Sequence, residues 1–372
     1  HRDRGTGELR VTKVLSSDSA PLEGIRALLG LEEGAPLPPV EVRMGTTLAT
    51  NALLERGGIP TLLVANEGLA DLPIIGDQTR PDLFALHIER PVPLASHTVE
   101  TGARQGADGT KLAALDVDRL REALADASSA GFRSVAVSLI HAYRDGSLET
   151  EIGRLAHELG FSHVSLSHEV SNELGLLGRT DTTVANAYLT PLLTEYMEAL
   201  ERVIGTGRLR MMQSNGGLVD AGAFIGRNAV LSGPAAGVVA TGALADELGL
   251  DEVIGFDMGG TSTDVSRYAG DIGRTFETQI AGIRIRAPMI ELHTVAAGGG
   301  SICTVDGQRM TVGPGSVGSD PGPLCYGREH ARDLSLTDVS LFLGRIADDR
   351  FPFELERAPV DLALVSIGAQ LA

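Results

Sequence analysis

The sequence predicts an α/β fold in two successive units. Three observations predict it. Short apolar runs alternate with amphipathic helical stretches through roughly the first 170 residues, the rhythm of strand–helix repeats. A second alternating series follows the longest helical stretch of the chain. The 372 residues suit two or three domains at roughly 100–200 residues each. We place the division at 175/176, with one α/β unit over residues 1–175 and a second over 176–372.

The elements follow in order. Residues 2–7 read as a hairpin turn and 8–15 as the strand leaving it. Ser19-Ala20-Pro21-Leu22-Glu23 opens a short helix to residue 31, with proline in its first turn. Residues 40–44 form a strand that runs into Gly45-Thr46-Thr47 and a helix ending at Gly57-Gly58. Residues 59–65 are a strand, 76–90 are mixed, 96–104 are a strand and 105–110 a polar turn. Residues 116–130 are an amphipathic helix with Leu120, Leu124 and Ala127 on one face. Residues 135–140 are a buried strand, 148–159 a helix and 164–167 extended. Residues 180–203 are the longest helix, with Pro191 as a kink point. Residues 209–213 are a strand, and Ser232-Gly233-Pro234 starts a helix to residue 248. Residues 252–256 form a strand ending at Asp257, and 263–268 return from it. Strands at 271–279, 289–295, 301–305 and 309–312 follow, then helices at 337–345 and 359–371.

Composition narrows the function. The net charge of −18 argues against nucleic acid or an anionic membrane as the main partner. No apolar run approaches the ~18 residues of a membrane helix. The opening His1-Arg2-Asp3-Arg4 is not a signal peptide, and two cysteines, Cys303 and Cys325, fit a reducing cytoplasm. Only Lys13 and Lys111 are lysines, and neither follows a glycine. A Walker-type phosphate loop, which needs Gly-Lys-Ser/Thr, is excluded. Glycine is dense: 46 in the chain, 15 of them among the 73 residues from Gly255 to Gly327. Such density inside a globular chain means tight turns and backbone brought close to a partner.

The sharpest motif is Gly255-Phe256-Asp257-Met258-Gly259-Gly260-Thr261-Ser262-Thr263-Asp264-Val265. An apolar strand delivers Asp257, glycines make the turn, hydroxyls follow, and Asp264 lies on the return strand. Backbone N–H groups of Gly259 and Gly260, with the hydroxyls of Thr261, Ser262 and Thr263, suit phosphate oxygens. Asp257 and Asp264 suit Mg²⁺, which takes a few carboxylates plus substrate phosphates. An ordinary β-hairpin with a Gly-Gly turn is the competing reading of the bare pattern. Gly45-Thr46-Thr47 sits at a helix start, where a threonine can cap and free N–H groups can hold an anion. Asn51 lies one turn on. His293 precedes Gly298-Gly299-Gly300, and both a functional and a structural reading of it stay open. The triple glycine points to close approach of a ligand or another loop. Gly313-Pro314-Gly315-Ser316-Val317-Gly318 matches a dinucleotide fingerprint, but the prolines after it cannot open the required helix.

These motifs resemble the hydantoinase A / 5-oxoprolinase family. The resemblance rests on residues 45–56, 75–84, 212–218, the Asp257 hairpin, 293–302, 312–316 and 326–328, and so spans the chain. It implies a two-lobed actin-like ATPase fold, shared with acetate and sugar kinases, heat-shock chaperones and actin. On this reading the chain is incomplete at both ends: a first phosphate hairpin would precede Arg2, and an adenosine loop would follow Ala372. The resemblance implies ATP-dependent hydrolysis of a cyclic amide of the 5-oxoproline or hydantoin type, the carbonyl oxygen being activated by phosphorylation. Residues 75–84 look more like the oxoprolinase branch. An ATPase subunit of a ketone-carboxylase-like complex, a small-molecule kinase of the same fold and a non-catalytic ATP switch are the rivals. The implied catalytic residues are Asp257, Asp264 and His293, with Asp257 and Asp264 holding Mg²⁺. The implied ATP-binding residues are Gly259, Gly260, Thr261, Ser262, Thr263, Gly45, Thr46, Thr47, Asn51, Gly298, Gly299 and Gly300. A hydantoinase B-like subunit or a C-terminal region would supply the hydrolytic half-reaction, and self-association is compatible with this. Many relatives have histidine where Met44 stands.

Overall fold

A computed structural model of the chain describes residues 3, 5–12, 14, 17, 19–79, 83–88, 92–348, 351 and 353–371. The fold is mixed α/β, as the strand–helix rhythm predicts. The chain divides into two compact units, His1–Ala236 with Arg274–Ile290, and Gly237–Gly273 with Glu291–Ala372.

The first unit is built on a four-stranded parallel sheet in the order Ala95–Thr101, Thr61–Asn66, Ser134–Ser138, His163–Leu166. Every residue of the two central strands is buried, as parallel strands covered on both faces must be. Helix Val117–Ser129 buries Leu120, Leu124 and Ala127, the face its sequence periodicity predicts. The Asp116 carboxylate caps it by accepting the Arg119 N–H at 3.1 Å. The long helix Leu176–Ile204 runs 29 residues with Pro191 inside it. Proline has no N–H for the Ala187 carbonyl four residues back. The Ser134 hydroxyl donates to that carbonyl instead, at 2.7 Å. The next carbonyl, Tyr188, accepts the Ile59 N–H at 3.0 Å. The proline therefore marks where the helix is tied to neighbouring chain.

A second small sheet pairs Val42–Met44 parallel with Leu209–Met212, which pairs antiparallel with Leu218–Asp220. The hairpin Arg274–Ile280/Ile283–Ile290 places Ile283, Ile285, Ala287 and Met289 in one core with Leu189 and Leu193 of the long helix. Its register shifts between Thr275 and Glu277, so Ala287 and Pro288 stand opposite the single residue Phe276. Proline cannot donate to a ladder and is accommodated at such a bulge.

The second unit holds a three-stranded antiparallel sheet in the order Val253–Met258, Thr263–Tyr268, His293–Val295. A hairpin of Ser301–Asp306 and Arg309–Ser316 follows, so the dinucleotide-like glycines begin inside a strand. A small core gathers Cys303, Leu324, Cys325, Leu334, Leu341 and Val360. The buried Asp338 carboxylate organises it, accepting from the N–H groups of Leu324, Cys325 and Ser335.

Several expected elements differ. The turn near the start is present, with Asp3 Oδ1 accepting from Gly5 and Thr6 N–H at 2.7 and 2.8 Å. The described residues after it form no extended ladder, while Lys13 and Leu15 lie outside the described residues. So do Arg80, Pro81 and Asp82 of the 75–84 motif. The apolar run 289–295 is not one strand. It breaks after Ile290, whose N–H goes to Ser214 C=O, while the Glu291 N–H goes to Gly273 C=O, both at 2.7 Å. Strand Ile283–Ile290 escapes sequence reading because Gly282 and Pro288 punctuate it. No helix among the described residues is long and apolar enough to cross a membrane.

Candidate functional site

The Asp257 hairpin forms as its sequence requires. Apolar Val253, Ile254 and Phe256 carry the ladder, and Gly259-Gly260-Thr261-Ser262 turns the chain, with Gly259 N–H donating to Ser262 C=O at 2.9 Å. Asp257 and Asp264 are partners in register. Cross-strand partners share one face of a sheet, so two carboxylates stand side by side. Thr294 is the partner of Asp264 on the third strand, and its hydroxyl donates to Asp264 Oδ1 at 2.7 Å. The site is thus a row of three oxygen-bearing side chains across three strands. Thr294 was not expected from the sequence; strand alternation from His293 was the signal that could have found it.

A helix packs behind this face. A Cβ at Gly255 would lie 2.5 Å from Ser266 Oγ and 3.0 Å from Thr241 Oγ1, so only glycine fits there. A Cβ at Gly237 would reach Asp257 Oδ2 at 3.8 Å. The opposite face is apolar and exposed, with Ile254 at 74% and Phe256 at 68%. His293 pairs with Val265, which puts it on that opposite face. The structure brings Asp257 and Asp264 together and separates His293 from them.

The triple glycine approaches another loop. Gly299 N–H donates to Gly259 C=O at 2.9 Å and Gly300 N–H to Gly260 C=O at 2.6 Å. A Cβ at Gly298 would fall 2.7 Å from the Gly260 carbonyl carbon and oxygen and from Thr261 N. Main chain thus holds the turn from behind. Thr263 belongs to the same support. It is buried, and its hydroxyl donates to Ala297 C=O at 2.6 Å. With its single proton committed there, it does not serve as the phosphate donor its sequence position suggested. Thr261 and Gly260 are exposed and Ser262 is half-buried.

Gly45-Thr46-Thr47 belongs to the first unit and forms a clasp. Thr46 N–H donates to Ser232 Oγ at 3.1 Å, and Gly233 N–H donates back to Thr46 C=O at 3.0 Å. A Cβ at Gly45 would meet Ser232 C=O at 2.8 Å, and one at Gly233 would meet Thr47 Cγ2 at 2.9 Å. Thr47 is the N-cap of helix Leu48–Leu54 without a side-chain bond. Thr46 Oγ1 instead accepts the Leu48 N–H at 3.1 Å. The Thr46 groups expected to bind an anion are engaged within the chain. Asn51 is exposed.

The metal reading can be tested on the donors present. Among the described residues, no group of three or more His, Cys, Asp or Glu is placed to hold a metal. Two carboxylates and a hydroxyl do not fit a closed zinc site. They fit Mg²⁺, which binds one or two carboxylates and completes its shell with water and phosphate oxygens.

Comparison with known proteins identifies the family. The family model described as Hydantoinase/oxoprolinase matches residues 179–372, and that of the Hydantoinase/oxoprolinase N-terminal region matches residues 1–160. The 5-oxoprolinase of Saccharomyces cerevisiae is 40% identical, over 94% of this chain and 31% of that protein. The solved structure of the ATP-dependent caprolactamase of Pseudomonas jessenii is 30% identical with a TM-score of 0.72, covering 95% of this chain and 56% of that one. Nucleotide-free acetone carboxylase shares the fold at a TM-score of 0.76 and 22% identity, covering 95% of this chain and 54% of that one. The chain spans about a third of the length of the first curated relatives, 31% of each of two 5-oxoprolinases. The chain belongs to the hydantoinase/oxoprolinase family.

Proposed function

We propose that the chain is the ATP-using portion of a cyclic-amide hydrolase of the 5-oxoproline or hydantoin type. The observation that carries this is the paired Asp257 and Asp264 beside a glycine turn braced by main chain. The 40% identity to a 5-oxoprolinase supports the substrate class. An amide is a poor electrophile. Transfer of the γ-phosphoryl group to its oxygen forms an O–P bond as the bond to ADP breaks. The ring nitrogen gives up its proton as the carbon becomes an imidate carrying the phosphate. Water adds to that carbon, and proton transfer to nitrogen breaks the ring C–N bond. A second water releases phosphate from the resulting acyl phosphate to leave the carboxylate.

Each residue has a task in that scheme. Gly260 and Thr261, exposed at the turn, present N–H and hydroxyl groups to phosphate oxygens, with Ser262 beside them. Asp257 and Asp264 would hold Mg²⁺; adjacent like charges repel across a ladder, and a cation relieves that. When bound, Mg²⁺ neutralises charge on the transferring phosphoryl group. Thr294 orients Asp264. Gly298, Gly299 and Gly300 keep the turn in place. A second polypeptide or further chain, of the hydantoinase B kind, would carry the hydrolytic half-reaction. A reducing, cytoplasmic setting belongs to the same proposal. Buried free cysteines support it, Cys325 above all, whose thiol burial pushes up to about 12.

The test is ATP turnover of the whole protein, with and without its partner, against 5-oxoproline, hydantoins and simple ketones. Turnover should respond to a cyclic amide, and Asp257→Ala should lower it at least about 100-fold with the fold intact. Undiminished turnover in that variant, or a stable phosphorylated product, would overturn the proposal.

A further inference from the structure

The first unit contains a cavity of about 700 Å³. It lies between the segment 73–79, the start of strand Ala95–Thr101, the long helix and the hairpin 274–290. Its volume is that of a small-molecule site. Ile75, Leu94, Val184 and Ile283 line it, together with Asp77, Asp181, Glu277 and Arg284.

Among the described residues, Asp77, Glu277, Arg284 and Arg286 pair with one another. Arg284, with a side chain only 16% exposed, pairs with Asp77 and, at 3.4 Å, with Glu277. Arg286 pairs with Glu277 at 2.7 Å and donates to Leu174 C=O at 3.0 Å. No hydrogen bond or ion pair among the described residues engages the Asp181 side chain. Burial pushes its carboxyl up to about 7. A partly buried carboxyl without a hydrogen-bond partner is costly unless something meets it. In its protonated form it offers a donor and an acceptor side by side. The ring of a lactam forces its amide cis, so C=O and N–H lie on one edge. That edge is the complement of a carboxylic acid, and the ring methylenes match the apolar side chains of the lining.

We propose that this cavity binds the cyclic amide, Asp181 reading its cis-amide edge and the apolar side chains Ile75, Leu94, Val184 and Ile283 taking its ring. The proposal rests on the cyclic-amide reading above and names where that substrate is recognised. Arg284 positions the site by holding Asp77 and Glu277. The charged groups facing Asp181 are Asp77 on the 73–79 segment, and Glu277, Arg284 and Arg286 on the hairpin. Thr79 hydrogen bonds hold Asp77 below the usual carboxylate range, so it stays ionised while Asp181 titrates.

The experiment is calorimetric titration of the whole protein with 2-pyrrolidinone at pH 6 and pH 8.5 without nucleotide. The wild type should bind, and more weakly by about tenfold at pH 8.5, as the donor proton is lost. Asp181→Asn keeps a donor and an acceptor; it should bind within about threefold of the wild type and lose the pH dependence. Asp181→Leu should bind at least about tenfold more weakly and raise the amide KM, with circular dichroism unchanged. No binding to the wild type, or unaltered binding and KM in Asp181→Leu, overturns the proposal. Should Asp181→Leu misfold, Asp181→Asn decides: a pH dependence as in the wild type overturns it. The two readings fail separately. Undiminished turnover in Asp257→Ala sinks the proposed activity, whereas lost turnover there beside unchanged binding in Asp181→Leu sinks only the cavity.

Discussion

Two polar networks, one in each unit, are held by different means. In the first, buried side chains hold one another. Arg179, 1% exposed, donates to Ser167 Oγ, Leu139 C=O and Glu173 C=O. Glu149, fully buried, accepts from Leu139 N–H, Ser167 Oγ, and both His168 N–H and Nδ1. In the second, the candidate site is held by main chain on main chain, Gly259 and Gly260 against Gly299 and Gly300. The difference follows from what each presents. A glycine turn has few side chains to anchor it, so another stretch of main chain braces it, with the Thr263 hydroxyl on Ala297 C=O beside it. The first network therefore fails when a side chain is removed, and the second when one is added.

The largest expected effect comes from adding one. Gly298→Val puts a Cβ 2.7 Å from three main-chain atoms of Gly260 and Thr261, none of which can rotate away. Displacing the turn by about 1 Å should cost about 100-fold in ATP turnover. Strand amides at Leu63 and Val64 in the first unit should keep their hydrogen-exchange protection. Wild-type turnover would show that the brace is dispensable. Removing a side chain gives the next effect. Arg179→Met takes the cation from beside buried Glu149, and should cost about 3 kcal/mol in urea unfolding, read as lost protection at those same amides. Loss of ATP turnover well before that protection is lost would blur the contrast between the units.

The same contrast explains what was legible in the sequence. Elements set by side-chain periodicity were readable: Leu120, Leu124 and Ala127 give their helix, and the buried run at 61–66 gives its strand. The Asp257 hairpin was readable because it is local, a strand, a glycine turn and a return. Relations between distant segments were not. Nothing near Gly298 says that it braces Gly260, and nothing near Thr46 says that Ser232 takes its N–H. A hairpin at 274–290 that packs with residues 1–236 cannot be expressed by any single cut in the chain. His293 differs for another reason: it is next in sequence to Thr294, the partner of Asp264, but strand alternation turns it to the other face.

The smallest effect is a cancellation within the first unit. Asp181 is raised by burial from 3.8 to about 7. Its contribution to stability is complete below pH 3.8 and is lost as pH rises towards 7, because the unfolded carboxyl ionises first. His163 is lowered by burial from 6.5 to about 4. Its contribution is complete above pH 6.5 and is lost as pH falls towards 4. Between pH 4.5 and 6 the two slopes oppose each other, each at most about 1.4 kcal/mol per pH unit. His168 is raised through its hydrogen bond to Glu149, so its contribution is lost only as pH rises above 6.5. The wild type should therefore show nearly flat protection at Leu63 and Val64 across that window. Asp181→Asn removes the falling term, and stability should then rise by about 1 kcal/mol from pH 5 to 6. His163→Asn should give the mirror image. A flat profile in both variants would mean that neither group is desolvated in the folded chain, and the first unit's side-chain framework would be looser than its contacts imply.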